Sequence, residues 1–486
     1  MQKNDIIRIT INDMSVNGEG IGRYEGMSFF VPNTVVGDVI TAGITKLKKT
    51  YGYARLISLD EPSGFRTDPP CPVCRYCGGC SIMNLDYKKQ LDIKENTVKN
   101  ALRRIGGFSD NEIELAARPI IGMDDPYHYR NKAQYPIGRD KNDKPVIGFF
   151  APHSHRIIEP GPQGCMIGAG MDINIINTLK SFIDDYDISI YDEKTHKGLL
   201  RHLLFRRGFA TEEVMVCLII NGNSIPHTDE LILRIRKACP NTRSIVLNEN
   251  RKPGNVILGD KTHLIWGQDH ITDELLGHTF KISAESFYQV NPLQTQRLYN
   301  KAVEYASLKK TDVVWDLYCG IGTIGITMAD KVREVIGIEI VDKAVKDAKE
   351  NVHINNLDNV KFFTGRADRI FSSEYSIPPA DVIVVDPPRK GLDEKTISLI
   401  LEAAPDRLVY VSCNPSTLAR DLALLTLDKY TLKEYTPIDQ FPHGMHVESI
   451  ALLERVSNRK ADAKVHIDVD LEDYYRIKDA QGKDGK

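Results

Sequence analysis

Hydrophobic and polar positions alternate along residues 1–59, in IIRITINDM, MSFFVPN, DVITAGITKLKK and YGYARLISL, with Gly and Asn turns between them. Short strands at this spacing predict a small β-barrel of OB-like size. The period lengthens at 86–105, DYKKQLDIKENTVKNALRRI. There Leu91, Val98, Leu102 and Ile105 fall on one side of a helix and basic residues occupy the rest. Residues 118–285 read as β-rich, with runs such as LLRHLLFRRG, EVMVCLIING and NVILGDKTHLIWG. From about 286 the pattern becomes helix 292–306, strand VVWDLY, a helix, strand EVIGIEIV, helix 341–354, strands VKFFTG and DVIVVD, a helix and strand RLVYVSC. Such βα alternation predicts a doubly wound sheet. The expected architecture is α/β: a barrel over 1–59, a β-rich central domain over 60–285 and a Rossmann-like domain over 286–456. The helix at 86–105 is expected to pack on that last domain. Residues 457–486 are charged and apolar-poor, which predicts a weakly ordered tail.

Composition narrows this only slightly. A hydrophobic share of 42% and a charged share of 27% are those of an ordinary globular chain. No run approaches the roughly 18 apolar residues of a membrane span, and MQKNDIIRITINDM lacks the apolar core of a secretion signal. A cytoplasmic protein without a membrane partner is the expectation. The formal charge of −3 says nothing about nucleic acid, which responds to local patches such as Lys46, Lys48 and Lys49 beside Tyr51 and Tyr53. Cysteines are more telling: Cys71, Cys74, Cys77 and Cys80 cluster, while Cys165, Cys217, Cys239, Cys319 and Cys413 are scattered. In a reducing compartment the cluster reads as metal or iron–sulfur ligation.

Three turns then converge at one edge of the expected sheet. Gly320, Gly322 and Gly325 spell G-x-G-x-x-G between a strand and a helix, and Glu339 ends the next strand, where a carboxylate can accept from ribose hydroxyls. A dinucleotide dehydrogenase would show the same pattern. Asp316 before the turn, the C-terminal position of the module and the DPP turn at 386–388 favour S-adenosylmethionine. Cys319 reads as a packing residue. Cys413 directly follows an apolar run and lies beside the DPP turn, which favours chemistry over an inert strand end. A pyrimidine C5 is a poor nucleophile, whereas thiolate addition at C6 makes an enolate able to attack a sulfonium methyl group. The C5 proton must then leave to a base. Glu448 in FPHGMHVESIALL is the candidate, with His443 and His446 close by in sequence, each readable either as part of the site or as a surface loop residue.

DLYCGIGTIG, DPPRKG, VSCNP and FPHGMHVE, in this order, closely resemble the RNA (uracil-5-)-methyltransferase family, and SAESFYQVNP is similar to a further signature of it. The barrel resembles a TRAM domain, an RNA-binding module, and the cysteine cluster resembles the iron–sulfur motif of the 23S rRNA branch. The resemblance implies that Gln289, Tyr318, Glu339 and Asp386, with Gly320 in the glycine turn, contact S-adenosylmethionine. It implies Cys413 as nucleophile, Glu448 as proton acceptor and Phe287 as a stacking surface for a base. Cys71-x5-Cys77-x2-Cys80 matches the family spacing, with Cys165 as fourth ligand of a [4Fe–4S] cluster. Cys74 departs from that pattern and leaves the choice of three among four open. Zinc fits less well, because only two residues separate the cysteine pairs. The 5-methylcytosine enzymes of RNA carry a cysteine in the turn equivalent to DPPR; its absence here supports uracil. Arg130, Asn131, Lys132, Arg201, Arg206 and Arg207 are expected as cationic edges for RNA phosphates. The sequence thus points to methylation of uridine C5 in 23S rRNA. A tRNA T-loop uridine is the runner-up, followed by an RNA-binding factor with a vestigial catalytic module. Oligomeric state has no signal.

Overall fold

The structure is a computed structural model that describes residues 1–370 and 377–456; the tail at 457–486 lies outside the described residues. The first five strands, Ile6–Met14, Gly20–Tyr24, Met27–Val31, Val39–Leu47 and Tyr51–Glu61, close into a barrel. Alternation explains the closure. Ile7, Ile9 and Ile11 point inward to meet Phe29, Val31, Ile40 and Ala42, while their neighbours face out.

The helix Tyr87–Arg104 begins at Asp86, whose side chain accepts from the Lys89 N–H at 3.2 Å. Its buried face differs from the apolar stripe expected. Gln90, Lys94, Val98, Ala101 and Leu102 are buried, whereas Leu91 is half-buried and Ile105 is exposed. The stripe is rotated because the helix turns two polar side chains onto polar groups of the C-terminal domain. It also packs on the helix Pro415–Thr426.

The central region holds a six-stranded sheet in the order Lys261–Gly267, Thr242–Glu249, Val214–Ile220, Leu200–Arg207, Lys132–Arg139 and Pro145–Ile147. The β-rich reading overlooked two helices, Asp172–Asp185 and Thr228–Ala238. The first buries Ile175, Ile176, Leu179, Phe182 and Ile183 at helical spacing against that sheet. Residues 255–260, taken as part of a strand run, are loop.

The C-terminal sheet has seven strands in the order Val360–Thr364, Glu334–Glu339, Val313–Leu317, Val382–Val385, Arg407–Ser412, Glu448–Arg455 and Tyr430–Ile438. The first five are mutually parallel; Glu448–Arg455 runs antiparallel to both of its neighbours, so Tyr430–Ile438 shares the direction of the first five. Helices cover both faces, so the parallel strands are apolar on both sides, as in Val313–Leu317, where every residue is buried. The helix Pro292–Ala306 stands where the sequence places it. The carboxyl ends of the parallel strands therefore share one edge. No helix among the described residues is long and apolar enough to cross a membrane.

Candidate active site

The strand Val313–Leu317 runs directly into the glycine turn. Tyr318, Gly320 and Gly322 have φ of 67°, 56° and 85°, a region that favours glycine. The glycines differ in what they permit. A Cβ on Gly322 would stand 2.5 Å from the Phe362 ring, and one on Gly325 would stand 2.8 Å from Asp316 Oδ2. These two allow close packing, whereas a Cβ on Gly320 would meet nothing, because that residue faces open space. The Gly325 N–H donates to Asp316 Oδ2 at 2.8 Å. Glu339 accepts from the N–H groups of Gly320 at 3.2 Å and Val341 at 2.9 Å, which fixes its carboxylate at the rim.

A cavity of about 580 Å³ opens at this edge. Gln289, Tyr318, Gly320, Glu339 and Asp386 line it, and Phe287, Cys413 and Glu448 line it too, so all eight residues of that expected site meet in one space. Phe287 and Ile340, 67% and 65% exposed, present bare apolar faces to it. Such surfaces suit flat rings.

Its electrostatics are unusual. Burial pushes Asp386 up to about 7. Glu448 is pushed up to about 8 by burial and by the negative Asp386, against the opposing pull of Arg389. Burial also pushes the Cys413 thiol up to about 11; Glu448 and Asp386 add to the shift, and Arg389 again opposes it. Asp316 rises to about 7, chiefly through burial, and its Oδ1 lacks a hydrogen-bond partner. The site therefore concentrates carboxylates around the Cys413 thiol, with a cation, Arg389, at the rim. Arg389 Nη2 lies 3.3 Å from His446 Nε2.

The loop before Glu448 is clamped from outside the C-terminal sheet. Lys94 Nζ meets Asp439 Oδ1 at 2.5 Å with both side chains fully buried, and it also donates to the Phe441 carbonyl at 2.9 Å. The Tyr87 O–H donates to Asp439 Oδ2 at 2.9 Å. The Ser81 and Ile82 N–H groups donate to the His443 carbonyl at 3.0 and 3.1 Å. His443, for which a surface position is one of the two sequence readings, is buried: Tyr127 stacks on its ring at 4.8 Å and its backbone N–H donates to Gln90 Oε1 at 3.0 Å. Burial and Lys94 push it down to about 4, so it is neutral at pH 7 and serves the loop's architecture. Nothing in the local sequence marks Lys94 for this role, since its partner is hundreds of positions away. Arg389, by contrast, stands within the quoted DPPRKG motif.

A second cavity, of about 300 Å³, is lined by Cys71, Cys74, Cys77, Cys80 and Cys165, with Arg130 and Lys132 on its wall. Burial pushes the Cys80 thiol well up, and its neighbours Cys165, Cys77, Cys74 and Cys71 add to the shift. Cys74 and Cys165 rise to about 11, chiefly through burial. Among the described residues no three His, Cys, Asp or Glu side chains are arranged to hold a metal ion. The five thiols surround a space instead of converging on a point, so the closed ligand set expected from the spacing is not preformed.

The expected cationic edges need correction. Asn131, Arg201 and Arg206 are buried. Arg201 donates to the Asn250 and Lys252 carbonyls at 2.7 and 2.9 Å, Arg206 donates to the Ala284 and Ser286 carbonyls, and Arg207 pairs with Glu212. Charged groups this deep must be satisfied internally, and these hold the central sheet to its own loops. Cys319 is buried in the core cluster, and it also borders the cavity that Cys413 lines.

The model of the tRNA (uracil-5-)-methyltransferase family matches residues 255–456, and that of the TRAM domain matches residues 2–57. The chain is 44% identical to an uncharacterized RNA methyltransferase of Halalkalibacterium halodurans over 93% of its own length and 98% of the relative's. It is 41% identical to one of Clostridium tetani, over 95% and 98%. It is also similar to the crystal structure of the Pyrococcus abyssi tRNA (uracil-54, C5)-methyltransferase in complex with S-adenosyl-L-homocysteine. There the TM-score is 0.72 at 29% identity, over 92% of this chain and 100% of that one.

Proposed function

This chain belongs to the tRNA (uracil-5-)-methyltransferase family and carries a TRAM domain, and from that premise we propose that it methylates uridine C5 in 23S rRNA through a covalent adduct on Cys413. The observation that carries the mechanism is the single cavity in which the Cys413 thiol, two raised carboxyls and the open Gly320 turn face the same space, with Cys319 at its buried back wall.

S-adenosylmethionine supplies an electrophilic methyl group on a sulfonium when bound. The residues fit it: Gly320 leaves the turn open, Ile340 offers an apolar face, Glu339 stands at the rim, and Asp386 is a half-buried carboxyl without a cation of its own among the described ion pairs. Gln289 and Tyr318 complete the proposed cofactor wall, while Phe287 stacks on the target base. Cys413, once deprotonated, adds its Sγ to C6. The C5–C6 π electrons move to the carbonyl, and C5 then takes the methyl group. Glu448 accepts the C5 proton, the electron pair left behind re-forms the double bond, and the thiolate leaves. The deprotonated states of Cys413 and Glu448 are required, yet burial holds both groups protonated near neutrality. Arg389 opposes both shifts, so it favours the reactive states of this pair.

We assign Cys71, Cys77, Cys80 and Cys165 to a [4Fe–4S] cluster, with Cys74 as a fifth thiol on the same cavity. Soft thiolates are the donors such a cluster takes, and a four-iron unit fills a thiol-lined space better than a single ion does. Arg130 and Lys132, on the same wall, have no carboxylate partner in the described ion pairs. Arg130 would offset the cluster's negative charge, and Lys132, which burial pushes down to about 7, would be drawn back toward its charged state beside it. The cluster's role in this reading is to tie the cysteine loop to the central sheet.

One observation favours a second substrate. The Pyrococcus relative is named for tRNA uracil-54, and its likeness spans 92% of this chain. A barrel matched over residues 2–57 is too long to fall wholly in the unaligned part, so possession of the barrel does not separate the two RNAs. The ribosomal reading rests on the cysteine motif. Labelled methyl transfer to deproteinised 23S rRNA and to tRNA transcripts, scored as 5-methyluridine, decides. Transfer to tRNA alone replaces the ribosomal assignment.

A further inference from the structure

The cysteine loop has a second face. Its thiols turn toward the cavity already described, while Arg75 and Tyr76, between Cys74 and Cys77, turn toward the barrel. There they form one wall of a groove of about 810 Å³, whose other walls include Lys46, Tyr53 and Arg55 of the barrel and His153 of the central region. None of these residues lines the catalytic cavity.

The chemistry of the groove is that of a nucleic-acid strand site. Lys46, Arg55 and Arg75 are exposed, and no ion pair among the described residues engages any of them. The wall holds one carboxylate, Glu19, which accepts from Ser15 Oγ at 2.8 Å. Arg66, also on the wall, is bound to Asp38 at 2.5 Å and acts as a strut between barrel and loop. Tyr76 is 59% exposed and has no ring partner among the described aromatic pairs. Tyr53 is backed by Phe30 at 5.6 Å and Tyr51 at 5.7 Å, which holds its ring in place. Free cations beside presented aromatic faces suit a strand whose phosphates are neutralised while its bases stack. A duplex would keep its bases away from both tyrosines.

We propose that this composite groove binds a single-stranded RNA segment outside the catalytic cavity, with Arg75 and Tyr76 of the cysteine loop and Tyr53 and Arg55 of the barrel as its opposed grips. The proposal rests on the reading of the chain as an RNA uridine methyltransferase and adds a second contact to it. The same loop ends at Ser81 and Ile82, which hold the His443 carbonyl ahead of Glu448. RNA gripped at Arg75 and Tyr76 is therefore held by the segment that also seats the catalytic loop.

The test uses the full-length protein purified without oxygen and a fluorescein-labelled oligouridylate, with binding read by anisotropy across a salt series and no cofactor present. Two paired variants are compared, Arg75→Ala with Tyr76→Ala on the loop and Tyr53→Ala with Arg55→Ala on the barrel. Each pair should weaken binding by about tenfold or more and flatten the salt slope by about 0.7 for the cation removed. KM for 23S rRNA methylation should rise while kcat at saturation holds. Wild-type affinity in both pairs overturns the proposal, and so does equal competition by a duplex of the same length. Should the loop pair lose its iron–sulfur absorbance, the barrel pair alone decides. A wild-type protein that binds oligouridylate but methylates no RNA would overturn the functional reading and leave the groove standing.

Discussion

Two cavities in this molecule are built around cysteines, and burial pushes thiols up in both. Their neighbours differ. Around Cys413 stand two carboxyls and one cation, Arg389. Around Cys80 stand further thiols, with Arg130 and Lys132 on the wall. In the first, the Cys413 sulfur is placed beside a group that can take a proton. In the second, sulfurs crowd one another and burial pushes their thiols up, a cost that binding an iron–sulfur core relieves. Residue type does not distinguish the two sites; the company each sulfur keeps does.

The contrast can be broken most directly by exchanging its sulfurs. Cys413→Ala should abolish methyl transfer, while Cys80→Ser should lower thermal stability and iron content before it touches the chemistry. Residual transfer by Cys413→Ala at the native rate would end the distinction. Next in size, Glu448→Gln should stall after methyl transfer, because no base removes the C5 proton. A protein–RNA adduct resistant to denaturing gels should accumulate, and full turnover by this variant would strip Glu448 of its role.

A third prediction concerns what holds the catalytic side in place. Lys94→Met leaves Asp439 buried and unpaired, which should cost about 3–5 kcal/mol in a denaturant titration. The smallest effects are those of pH. Alkylation of Cys413 in the ligand-free protein should quicken as pH rises from 7 toward its thiol value of about 11, and Arg389→Ala should slow it at every pH. Glu448 has a folded value of about 8, above the usual carboxylate range near 4.3. Between these values the folded state holds a proton that the unfolded chain has lost, so its contribution to stability falls as pH rises. Glu448→Gln should remove that slope and melt higher than wild type at pH 9, by about 2–4 °C. A parallel pH profile in the two proteins would refute the burial argument.

Much of this was legible in the sequence. Strands at the sheet edge announced themselves as apolar runs ending in Gly320, Asp386 and Cys413, because buried parallel strands carry little else. The barrel was readable from strict alternation. Helix Asp172–Asp185 was hidden among strong strand runs, although its spacing carried the signal. The arginines at 201 and 206 misled for a different reason: a basic residue looks the same in sequence whether it meets phosphate or its own backbone carbonyls. Lys94 and His443 left no local mark, since each is defined by a partner far along the chain.

The Lys94–Asp439 pair bears on how the chain could have been assembled and how it can be cut. A fragment starting near residue 286 would contain every strand of the C-terminal sheet and look self-sufficient on paper. It would also strand a carboxylate in the interior and leave the segment before Glu448 without its lysine, its tyrosine and the two amides that moor it. The part that carries out the reaction is therefore not separable from residues 81–94, and no shorter autonomous version is expected to fold into a working enzyme.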